Sequence, residues 1–104
     1  MIALVRDRSA DLQRLCAQYG VLRLSLFGSA ARGQDFDPQS SDLDFLVEFA
    51  PLPSGRRADR YFGLLADLER LFRRPVDLLD VAALRNPYLE RAVAAGEEVL
   101  YAAA

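Results

Sequence analysis

The spacing of apolar positions changes along the chain, and each change marks an element. Leu12, Leu15, Cys16 and Tyr19 recur at i, i+3, i+4 and i+7, the stripe of one helix face. Asp7 or Ser9 is placed to cap its start, and Gly20 follows where helices turn left-handed. From Val21 to Phe27 the period drops to two. Leu22, Leu24 and Leu26 share one side of a strand, which Gly28 ends. Ser29 to Arg32 predict a short helical turn broken at Gly33, and Gln34 to Ser41, with Pro38, predict a polar loop. Period two then returns: Leu43, Phe45, Val47 and Phe49 alternate with Asp42, Asp44, Leu46 and Glu48. That is a second strand with one apolar and one mostly acidic face.

Pro51, Pro53 and Gly55 mark another loop. Tyr61, Leu64, Leu65, Leu68, Leu71 and Phe72 form a long helical stripe that predicts a core face. Pro75 to Leu79 predict a third strand, and Asn86-Pro87 cap a helix through Leu89, Ala92 and Val93 that Gly96 closes. Glu97 to Tyr101 add a last short strand. The order predicts a mixed α/β (α+β) domain with a short sheet and helices packed on one face. Whether the first two strands run parallel or antiparallel stays open, because their connection is long enough for either.

Composition narrows the chemistry. The 104 residues fit one small domain spanning 1–104, and 52% hydrophobic residues imply a folded core. A net charge of −2 argues against direct nucleic-acid binding. No apolar run approaches the roughly 20 residues of a membrane span. The apolar start from Met1 to Val5 is too short for a secretion signal, so a cytoplasmic location is expected. The lone Cys16, on the apolar helix face, excludes an internal disulfide and reads as a small buried hydrophobe. The chain has no His, which removes His-ligated zinc and His-based nucleophile activation. It has no Lys either, which removes Schiff-base chemistry. Carboxylates, hydroxyls, backbone amides and Arg are left to do any catalytic work.

The acidic positions are spaced for such work. Side chains at i and i+2 of a strand point the same way, so Asp42 and Asp44 share a face with Cα atoms about 6.5–7 Å apart. Oxygen ligands of that kind suit Mg²⁺ or Mn²⁺. Asp77 has the parity opposite to the core residues Val76 and Leu78, which puts it on the sheet side open to the Asp42–Asp44 pair. Asp80 has the other parity and is expected to act as a cap or surface residue, and Glu48 is peripheral. Upstream, Gly28-Ser29 follow a strand and open a turn, where backbone amides attract phosphate. Arg32, one turn later, can meet phosphate charge with a forked contact. Arg56, Arg57 and Arg60 read as a solvated helix start, with a partner or nucleic-acid patch as the alternative.

"GSAARG", "SDLDFLVEF", "VDLL" and "AGEEVLY" closely resemble the minimal nucleotidyltransferases of the DNA polymerase β-like superfamily. The resemblance runs from Val21 to Tyr101, with a slightly longer interval between Ser29 and Asp42 than is commonest there. It implies a small nucleotidyltransferase fold. It implies that Gly28 and Ser29 hold a nucleotide triphosphate, with Arg32 and Ser41 as supporting contacts. Asp42, Asp44 and Asp77 would be the catalytic residues, binding two Mg²⁺ ions, with Asp77 as general base. The reaction implied is transfer of AMP from ATP to a hydroxyl. Small stand-alone members resemble antitoxins paired with HEPN-domain toxins from the adjacent gene, in which a Tyr hydroxyl of the toxin takes the AMP. A homo- or hetero-oligomer is compatible with that pairing. Two other readings are a non-catalytic antitoxin that neutralises its partner by binding, and nucleotidyl transfer to a small molecule. The short chain counts against the latter, since it lacks a second domain to hold that substrate.

Overall fold

The computed structural model describes residues 3–28, 42–51, 56–83, 87 and 96–103. Two helices, α1 (Ala3–Arg6) and α2 (Ser9–Tyr19), lead into strand β1 (Val21–Phe27). Strand β2 (Leu43–Phe49), helix α3 (Arg57–Phe72), strand β3 (Val76–Asp80) and a 3₁₀ turn (Val81–Ala83) follow. Strand β4 (Glu98–Ala102) comes last. The four strands form one sheet in the order β3-β2-β1-β4. β1 runs antiparallel to β2 and to β4, while β2 and β3 run parallel. The first two strands are therefore an antiparallel pair. The sheet is mixed.

The period-3.6 and period-2 stripes meet in one core. Leu12 and Cys16 of α2, Leu64, Leu68 and Phe72 of α3, and Val5 of α1 pack against Leu24, Leu26, Leu43, Phe45, Val47 and Leu78 of the sheet. Burying side chains of this size contributes about 1.5–3 kcal/mol each. The Phe45 and Phe72 rings stack with centroids 5.8 Å apart, tying β2 to the end of α3. Gly20 takes φ 66° and closes α2, where the pattern placed a cap.

The start of α2 differs from expectation. Arg8 occupies the N-cap without a side-chain hydrogen bond, and the Ser9 hydroxyl instead donates 2.8 Å back to the Arg6 carbonyl at the end of α1. Neither Asp7 nor Ser9 caps α2: Arg8 holds the N-cap position, and the Ser9 hydroxyl is engaged by the Arg6 carbonyl.

Strand parity also has two exceptions. Val21 pairs with Phe49 and Arg23 with Glu48, so β1 carries one extra residue, Leu22, in a bulge. Leu22 is therefore 39% exposed, although it shares spacing with Leu24 and Leu26. On the sheet side away from α2 and α3, Leu46 and its neighbour Ser25 are buried too. That face is not uniformly solvated. The predicted turn at Ser29–Arg32, the loop at 34–41 and the helix after Asn86 lie outside the described residues. Among the described residues no helix is long and apolar enough to cross a membrane.

Candidate functional site

Three strand ends meet at one end of the sheet. In register across β1, β2 and β3, Phe27 pairs with Asp44 and Asp44 with Asp77. The Leu43 N–H donates to the Pro75 carbonyl at 3.5 Å, which aligns the start of β2 with the start of β3. Asp44 and Asp77 thus stand side by side on adjacent strands, on the face opposite Leu43, Phe45 and Leu78. Asp42, one residue before β2, is exposed, as is Asp77, whereas Asp44 is half-buried. The parity argument from single strands therefore holds for the Asp44–Asp77 pair.

Gly28 closes this end. It follows β1 with φ 73°, a left-handed conformation that L side chains rarely adopt. It also lies against Asp44: a Cβ at Gly28 would clash with the Asp44 Oδ2 and stand 3.3 Å from its Cγ. Glycine is needed here twice, for backbone conformation and for space. The turn lays bare backbone directly on the half-buried carboxylate. Ser29, Arg32 and Ser41 lie outside the described residues.

The donors at this end are carboxylates, the ligand type of a hard divalent cation. Among the described residues no group of three or more His, Cys, Asp or Glu side chains is gathered to hold a metal ion. The neighbouring pair Asp44 and Asp77 still fits Mg²⁺. That ion commonly takes only one or two protein carboxylates and fills its remaining positions with water and substrate phosphates.

Helix α3 reaches the same region. The Tyr61 hydroxyl donates to the Leu78 carbonyl, one residue beyond Asp77. Burial raises the Tyr61 pKa above its ordinary value, and the charges of Asp77 and Asp80 push it the same way. The Val76 N–H, one residue before Asp77, donates to Glu69 Oε2 at 3.2 Å. Neither role is visible in the periodicity, which marks Tyr61 only as core and Glu69 only as a charge. The phenol tip at the edge of an apolar stripe was the available signal.

Asp80 acts as a cap: its Oδ1 accepts the Ala82 N–H at 2.9 Å, at the 3₁₀ turn. Ser25, buried beside Leu46, donates to Glu97 Oε1 at 2.5 Å, and Arg23 pairs with the same carboxylate at 2.8 Å. That cluster fastens the approach to β4 onto β1. At the far end of β2, Glu48 and Asp80 border a cavity of about 240 Å³ with Phe49, Arg57 and Arg60. Arg60 is not simply solvated as predicted. Its guanidinium lies 4.3 Å from the centroid of the Phe49 ring, and burial lowers its pKa.

The chain and its fold have counterparts among known proteins. The family model of the nucleotidyltransferase domain matches residues 12–96, and the chain belongs to that family. It is a nucleotidyltransferase. Among its relatives is the Methanocaldococcus jannaschii protein named "Putative protein adenylyltransferase MJ1379". It is 34% identical over 86 residues, covering 81% of this chain and 79% of the relative. A second protein of that organism, named "Putative protein adenylyltransferase MJ0128", is 33% identical over 84 residues, with the same coverage of each chain.

Among solved structures, one described as a minimal nucleotidyltransferase superposes with a TM-score of 0.71 at 33% identity. The match covers 91% of this chain and 89% of that one. The fold is shared with a chain of a complex between a tri-AMPylated Shewanella oneidensis HEPN toxin and its MNT antitoxin. There the TM-score is 0.64 at 19% identity, over 94% and 72% of the two chains.

Proposed function

We propose that this chain transfers AMP from ATP to a hydroxyl of a HEPN-domain partner protein, a tyrosine by preference, and so acts as an antitoxin. The observation that carries the reading is the register of Asp44 beside Asp77 under the bare backbone of Gly28, in a chain of the nucleotidyltransferase family. The relatives named as protein adenylyltransferases and the fold shared with the MNT antitoxin support the choice of nucleotide and partner.

Each residue has a part in the reading. Asp42, Asp44 and Asp77 hold the metal, two Mg²⁺ ions or Mn²⁺ in their place. Gly28 leaves room for the triphosphate next to Asp44, and Ser29, Arg32 and Ser41 contact its phosphates. A divalent ion held by these carboxylates would supply neutralisation of the negative charge on the triphosphate. Asp77 accepts the proton of the attacking hydroxyl. That oxygen forms the new bond to the α-phosphorus, and pyrophosphate departs with the electron pair of the broken bond. The remaining work is positioning, as expected for phosphoryl chemistry.

Neutralisation by binding alone is the second reading. It draws on the lack, among the described residues, of three acids gathered for a metal. One experiment separates the two. The chain is incubated with labelled ATP, Mg²⁺ and the product of the adjacent gene, and both label on the partner and the partner's toxicity are followed. Transfer predicts label with wild type, none with Asp42→Ala, and a partner that stays toxic with the variant. If Asp42→Ala neutralises the partner as well as wild type and no label appears with either, binding is the function.

A further inference from the structure

Asp77 sits on a strand of five residues that, among the described strands, is at the edge of the sheet and pairs with β2. Such a strand is the least constrained part of a sheet, yet the proposed chemistry needs the Asp77 carboxylate held beside Asp44. Helix α3 supplies the constraint. Its Glu69 accepts the N–H of Val76, and its Tyr61 donates to the carbonyl of Leu78. The two ties grip the residues immediately before and after Asp77. Between them the Leu78 side chain is sunk into the core, so the backbone around Asp77 is held at three points from the helix side of the sheet.

We propose that Tyr61 and Glu69 are positioning residues that fix the Asp77 carboxylate beside Asp44 from the opposite face of the sheet. The inference rests on the assignment of Asp77 to the metal under the proposed function. Tyr61 lies two turns of α3 before Glu69, so one rigid helix carries both ties. The proposal concerns the hydrogen bond from the Tyr61 hydroxyl and the acceptor oxygen of Glu69. Tyr61→Phe removes the first while keeping the ring, which packs edge-on against Phe62 at 5.1 Å. Glu69→Ala removes the second, and Glu69→Gln restores an acceptor oxygen.

The test titrates Mn²⁺ alone into the full chain by calorimetry. Tyr61→Phe and Glu69→Ala are each expected to weaken Mn²⁺ binding about 3- to 10-fold. Glu69→Gln is expected to bind within about twofold of wild type, since its amide oxygen still accepts the Val76 N–H. In an Asp77→Asn background, Tyr61→Phe should change Mn²⁺ affinity no further, because its effect runs through Asp77. Unchanged affinity in Tyr61→Phe, or an equal loss in the Asp77→Asn background, overturns the proposal.

Amide exchange of the metal-free chain keeps this test separate from the reading it rests on. Faster exchange across Val76–Asp80 in Tyr61→Phe, with the thermal midpoint kept, supports the clamp. Unchanged exchange there overturns it, whatever Mn²⁺ does. A wild-type chain that binds no Mn²⁺ overturns the assignment of Asp77 to the metal, and with it the catalytic purpose of the clamp.

Discussion

The space a side chain at Gly28 would need is taken by the Asp44 carboxylate, so the two residues constrain each other. Alanine at position 28 would have to adopt a left-handed φ and displace the Asp44 carboxylate at the same time. We expect Gly28→Ala to cost about 1–3 kcal/mol in backbone strain and to abolish nucleotidyl transfer while the core stays folded. Denaturant titration and a transfer assay on the same preparation check this. A Gly28→Ala chain as active as wild type contradicts the packing described.

Cys16 shows the opposite character. Burial pushes its thiol up to about 12, so the thiolate is scarce near neutral pH. Alkylation by iodoacetamide is expected to be slow in the native chain and fast after unfolding, and rapid native alkylation would refute the burial. Tyr61 and Tyr19 both have raised pKa values, Tyr61 first through burial and Tyr19 first through its hydrogen bond to Asp67. The fold thus favours the neutral phenols. Their contribution is complete below the unfolded value of about 10 and is lost as pH climbs through the higher folded values. Stability measured upward from pH 9 should fall more steeply in wild type than in Tyr61→Phe, and parallel curves would count against the assignment.

At the scale of elements, α2 and α3 meet where Gly63 faces Tyr19. A Cβ at Gly63 would stand 2.9 Å from Tyr19 Cε1 and 3.2 Å from its hydroxyl oxygen. To make room, Tyr19 must leave its hydrogen bond to Asp67. The helix gain of alanine over glycine, about 1 kcal/mol, is set against an overpacking cost of about 1–3 kcal/mol. Gly63→Ala is therefore expected to lower the thermal midpoint. In a Tyr19→Ala background the clash is gone and the same substitution should raise it. A rise in both backgrounds rejects the contact.

The elements themselves were largely legible. Apolar period 3.6 marks α2 and α3, and period two marks β1 and β2, because each stripe meets one core. What escaped the sequence depends on partners it does not display. The Leu22 bulge follows from how Val21 and Arg23 pair with a strand more than 20 residues away. Arg60 settles on Phe49 only once α3 lies over the end of β2. At the site, parity set Asp77 on the correct face. Its exact partner, Asp44, is a matter of register between strands, and the pressure of Gly28 on that carboxylate is a matter of three dimensions. The ties from Tyr61 and Glu69 were hidden because both residues also fit an ordinary amphipathic helix.

At the scale of the molecule, the sheet separates support from chemistry. One face carries α2 and α3 and holds the core. The end where β1 stops and β2 and β3 begin carries the glycine turn and the acids. In the proposed reading this small fold presents the nucleotide site and the partner brings the acceptor hydroxyl. That reading places nearly all of the catalytic burden on Asp42, Asp44 and Asp77. The most direct test of that claim is the initial rate of label transfer from α-labelled ATP to the adjacent-gene partner, for wild type and Asp44→Asn in parallel at saturating Mg²⁺. Asp44→Asn is predicted to keep its thermal midpoint and to lose at least about 100-fold in rate. An Asp44→Asn chain that transfers AMP at the wild-type rate would contradict it.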